Sequence, residues 1–102
     1  MPKKALVIYK TATAERKLKE IIKYSAQKWG KKAAKEYAVQ LEKLINSVAR
    51  GEVKTKTNRE FSIKFSYYRV KQHYIFFEIR EDKLIVVAIF HVAMNIKKHL
   101  KN

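Results

Sequence analysis

The sequence predicts an α+β fold: an N-terminal strand, an antiparallel two-helix hairpin, then three antiparallel strands, with the helices packed on one face of a four-stranded sheet. Three observations predict it. A short apolar run gives way after Thr11 to apolar residues spaced three and four apart. The only two glycines, Gly30 and Gly51, stand where that helical spacing breaks. Beyond residue 58 the chain turns to β-branched and aromatic residues, first alternating with polar ones and then in longer runs. A helical hairpin leaves one apolar face uncovered, and a sheet is the simplest cover for it.

Ala5–Tyr9 (ALVIY) is apolar without alternation, which reads as a buried strand. From Thr11, the residues Ala14, Leu18, Ile21, Ile22, Ser25 and Trp29 fall on one helical face. Thr11 or Thr13 can cap the start, Glu15 suits the positive end of the helix dipole, and Gly30 supplies the stop. A second helix runs from about Lys32 to Arg50 with the seam Ala34, Tyr37, Leu41, Leu44 and Val48, and Gly51 ends it. Residues 52–58 (EVKTKTN) are polar and aperiodic and read as a loop. Phe61, Ile63 and Phe65 alternate with polar residues as in a half-exposed strand. Arg69–Ile79 and Leu84–Val92, joined by a turn at Arg80–Lys83, carry apolar residues on both faces and read as the central strands. The tail from Ala93 is polar. Residues 1–102 are expected to form a single domain.

Charge is the dominant compositional signal. Lys and Arg total 24 against 9 Asp and Glu, a formal net charge of +15. Such a field draws in polyanions and acidic protein surfaces. There is no cysteine, so disulfides, thiolate metal sites and cysteine nucleophiles are excluded. No apolar run reaches the length of a membrane span or a secretory signal, so a cytoplasmic protein without membrane association is expected. The two glycines cannot build a phosphate-binding loop, and His73, His91 and His99 contain no i, i+4 pair for a metal. No cofactor and no metal are expected.

Two kinds of chemistry stay open at this level. Arg69, His73, Tyr74 and His91 come from neighbouring predicted strands and have the side chains a metal-free ribonuclease uses. His73 and Tyr74 point to opposite faces of one strand, however, so one of them is expected to pack inside. The segment Ser66–Tyr74 (SYYRVKQHY) interleaves cations and rings, a pattern suited to stacking bases and holding phosphates.

Three local motifs, in order along nearly the whole chain, resemble the ParE branch of the RelE/ParE toxin superfamily. They are Trp29-Gly30 before the Ala- and Tyr-bearing second helix, the strand His73-Tyr74-Ile75-Phe76-Phe77, and Val87–His91 followed by Met94-Asn95-Ile96 and His99-Leu100. Three positions depart from the pattern: Asn95 stands where Asp is usual, Gln72 where a second His is frequent, and Ser66 near a common Arg. The resemblance implies a helical hairpin on an antiparallel sheet and a non-enzymatic toxin of a type II toxin–antitoxin system. Its implied target is DNA gyrase, with nucleic acid met through the gyrase–DNA complex. Its implied partner is an acidic ParD-like antitoxin, which neutralises the toxin in a hetero-oligomer and would balance the +15 charge. The RelE branch instead implies a ribosome-dependent mRNA endoribonuclease. Partner contacts are expected from Arg69, Lys71, His73, His91, Asn95, Lys97 and Lys98.

Overall fold

A computed structural model describes residues 5–58 and 62–92. The order is β1 (Val7–Lys10), α1 (Ala12–Trp29), α2 (Lys31–Ala49), β2 (Lys56–Asn58), β3 (Ser62–Val70), β4 (His73–Arg80) and β5 (Lys83–His91). The α+β class, the helical hairpin and the antiparallel β3, β4 and β5 are as the sequence predicts. The sheet runs β1-β5-β4-β3-β2. β2 is a three-residue edge strand in the segment read as a loop, antiparallel to β3. β1 lies parallel to β5 at the opposite edge. It is only half-buried: Val7 and Tyr9 face away from the core, while Leu6 and Ile8 pack against it. An apolar run at a sheet edge has one face to cover, not two, so the expectation of a buried strand fails there.

Thr11 begins α1 and ties it to the sheet. Its hydroxyl accepts from the Ala14 amide at 3.0 Å, which caps the helix, and donates to the Val87 carbonyl at 2.8 Å. Val87 sits at a β-bulge, where the pairing shifts from Phe76–Ala88 to Phe77–Val86. The extra residue re-phases β5, so both Val86 and Ile89 enter the core beneath the helices. One hydroxyl thus fixes the start of a helix and a bulge in β5.

A single residue, Gly30, links the helices. Its φ of 95° and ψ of 162° lie where side chains are excluded, and its amide donates to the Ala26 carbonyl at 3.0 Å. The end of α2 is a Schellman motif about Gly51, with Glu52 N–H donating to Ser47 O and Gly51 N–H to Val48 O.

The main core joins Leu18 and Ile21 of α1, Leu41, Ile45 and Val48 of α2, and Ile75, Phe77, Leu84, Val86 and Ile89 of the sheet. Each such side chain stabilises the fold by about 1.5–3 kcal/mol when fully buried. On the other sheet face Phe76 is fully buried beneath Phe65, Tyr67, Tyr74 and Phe90. Burial along α1 stops at Ser25, so the last turn stands clear of the core and Trp29, placed on the buried seam by its spacing, is exposed. Ile22 is likewise at the surface.

Candidate functional site

The long segment Arg69–Ile79 is two strands, not one. β3 ends at Val70 and β4 begins at His73, with Lys71 and Gln72 as the turn. Lys71 has φ 52°, a left-handed conformation that glycine usually supplies. Arg69 Nε donates to the Lys71 carbonyl at 2.8 Å, and Val92 N–H donates to the Gln72 carbonyl at 2.9 Å. The turn is therefore held from both sides. It forms one end of a groove whose wall is the C-terminal half of α1 and the start of α2.

The groove has a volume of about 1110 Å³, and Arg69, Lys71, His73 and His91 all line it. Four of the seven expected contact residues are thus brought together. Asn95, Lys97 and Lys98 lie outside the described residues.

His73 is the most constrained of the four. The Tyr37 hydroxyl, reaching from α2, lies 2.7 Å from His73 Nδ1 and 3.1 Å from the Val70 carbonyl. Both contacts are satisfied together when His73 carries its proton on Nδ1, donates to Tyr37, and Tyr37 donates to Val70. Burial, then the neighbouring His91, then Lys17, push the His73 pKa down to about 4. The ring is neutral at pH 7. His91, exposed at the end of β5, stands edge-on to His73 with ring centroids 5.4 Å apart. Burial raises the Tyr37 pKa, so its phenol stays protonated. The Lys71 ammonium lies 5.4 Å from the centre of the Tyr37 ring.

Tyr74 parts from this set. It points to the opposite face and packs with Tyr67 and Phe76, as the alternation of β4 requires. The four-residue ribonuclease constellation therefore reduces to Arg69, His73 and His91. Three further groove residues, Tyr24, Trp29 and Tyr37, are not marked as functional by the sequence. Tyr37 and Trp29 fall on apolar seams, and Tyr24 carries no signal of its own. A mark was available in Trp29, whose place next to the Gly30 stop puts it at a helix end.

A basic groove between a helical hairpin and a mixed five-stranded sheet defines a small α+β protein built to bind an acidic or anionic partner. A solved structure, titled the chromosomal ParDE TA system from P. aeruginosa, shares the fold with a TM-score of 0.74 over 86% of this chain and 97% of that one, at 10% identity. The family model described as ParE toxin of type II toxin-antitoxin system, parDE, matches residues 8–96. Toxin ParE of Escherichia coli is 34% identical over 91 residues, 88% of each chain. The chain belongs to the ParE toxin family of type II toxin–antitoxin systems.

Proposed function

We propose that this ParE toxin inhibits DNA gyrase, and so DNA replication, and that an acidic ParD-like antitoxin neutralises it by binding. The observation that carries the reading is the match to the ParE toxin model over residues 8–96. The net charge of +15 supports an acidic partner that folds over the basic surface in a hetero-oligomer. Arg69, Lys71, His73 and His91 form the described part of the contact surface, and Asn95, Lys97 and Lys98 belong to the same proposal. The site of action is the cytoplasm, where gyrase meets DNA. Among the described residues no helix is long and apolar enough to cross a membrane.

A binding role is favoured over ribonuclease chemistry by the state of His73. A general base works best with a pKa near the operating pH, and a ring held at about 4 and bonded to Tyr37 is a weak one. The test is a supercoiling reaction with purified gyrase, relaxed plasmid and ATP. Loss of supercoiling at micromolar toxin, restored by the cognate antitoxin, is expected. A parallel cell-free translation with primer extension addresses the other branch. Cleavage within codons that vanishes in His73→Ala would replace this reading with the endoribonuclease.

A further inference from the structure

The groove has a second part, at the end of α1, that lies outside the residues proposed above for partner contact. At the end of α1, Tyr24 is 56% exposed and Trp29 is 61% exposed, although aromatic rings of this size are normally largely buried. Their rings meet edge to face at 6.1 Å. Lys28 lies beside both, its Nζ 5.6 Å from the Tyr24 centroid, 4.9 Å from that of Trp29 and donating to the Tyr24 hydroxyl at 3.3 Å. All three residues line the same groove as Arg69 and Lys71. Among the described residues the only carboxylate lining it, Glu20, lies 3.9 Å from Lys17. Among the described residues no ion pair involves Lys28, Arg69 or Lys71.

Exposed rings beside unneutralised cations, arrayed along a groove, form the arrangement that receives a flexible polyanion bearing flat apolar rings. The carboxylates of an acidic peptide satisfy the cations but offer the two rings no flat face to stack on, whereas each nucleotide brings a phosphate and a ring together. Duplex DNA offers phosphates but keeps its base faces stacked inside the helix. We propose that this groove binds single-stranded nucleic acid directly, with bases stacked on Tyr24 and Trp29 and phosphates held by Lys28, Arg69 and Lys71. The site does not depend on gyrase. It gives the toxin its own hold on an unpaired strand.

Trp29 is the only tryptophan in the chain, so its emission reports on this groove alone. The experiment titrates the full-length protein with an oligothymidylate of about a dozen nucleotides and follows Trp29 fluorescence. Saturable quenching is expected. Three phosphate contacts predict an affinity that falls about 20-fold between about 50 and about 200 mM KCl. Anisotropy of the labelled oligonucleotide then reads the variants. Trp29→Ala should weaken binding about 10-fold, and Lys71→Ala should lower the salt slope by about 0.7. Both positions are exposed, and circular dichroism verifies that each variant is folded. Three results overturn the proposal: no binding at the lower salt, binding that leaves Trp29 emission unchanged, or equal quenching by a polyglutamate of matched charge, which would make the groove an acidic-peptide site.

Discussion

The Tyr37 hydroxyl on α2 lies 2.7 Å from His73 Nδ1 at the start of β4, and the same oxygen reaches the Val70 carbonyl at 3.1 Å. This one hydroxyl links the helical hairpin to both sides of the Lys71-Gln72 turn, next to Arg69. Tyr37→Phe keeps the ring and removes the link. It should cost about 1–2 kcal/mol in urea unfolding, because a partly buried carbonyl and an imidazole nitrogen lose their partner. Unchanged stability would show that the contact is not held in solution.

His73 sets a pH dependence. Its native pKa of about 4 lies below the ordinary histidine value of 6.5, so the unfolded chain binds the proton more readily. The stability gained from keeping the ring neutral is complete above pH 6.5, declines as pH falls from 6.5 towards 4, and changes no further below that. The difference sets an upper bound of about 3 kcal/mol, and for a half-exposed ring about 1–2 kcal/mol is expected after solvent screening. Carboxylates titrate in the same range, so the informative quantity is the wild-type profile minus that of His73→Gln. Histidine NMR titration checks the assignment: His73 should remain neutral at pH 5.

Thr11 carries two duties, and substitution separates them from simple helix propensity. Thr11→Ala removes both the cap of α1 and the bond to the bulged Val87 carbonyl, at a cost of about 2 kcal/mol. Thr11→Ser keeps the hydroxyl and should recover most of that loss. Thermal denaturation of the two variants provides the comparison.

The β4–β5 turn holds Glu81 at φ 54°. Glu81→Gly relieves that strain in an exposed hairpin and should raise stability by up to about 1 kcal/mol. A decrease would mean that the Glu81 side chain contributes more than its backbone costs.

The helices were legible in the sequence because their ends are chemically marked. Thr11 caps, Gly30 takes a conformation closed to other residues, and Gly51 builds the Schellman motif. The strands were less so. Lys71-Gln72 turns the chain with no glycine, proline or asparagine, so the sequence hides the boundary and Arg69 and Val70, the end of β3, read as the start of the next strand. Lys56–Asn58 pairs through its backbone, and its polar side chains carry no strand pattern. β1 has a core strand's composition but an edge strand's position, which only the pairing with β5 reveals. The site divides in the same way. Arg69, His73 and His91 stand out by residue type, whereas Tyr37 shares its spacing with the core residues Ala34 and Leu41 and is distinguished only by where its hydroxyl ends.

The most direct test of the proposed function is gyrase-dependent DNA cleavage. Purified toxin, gyrase, ATP and supercoiled plasmid are incubated, denatured and digested with protease, and linear DNA is measured. A gyrase poison predicts linear plasmid that accumulates with toxin dose, is abolished by the antitoxin, and is strongly reduced in the Arg69→Ala/Lys71→Ala variant. No linear DNA and unchanged supercoiling at micromolar toxin would contradict the account.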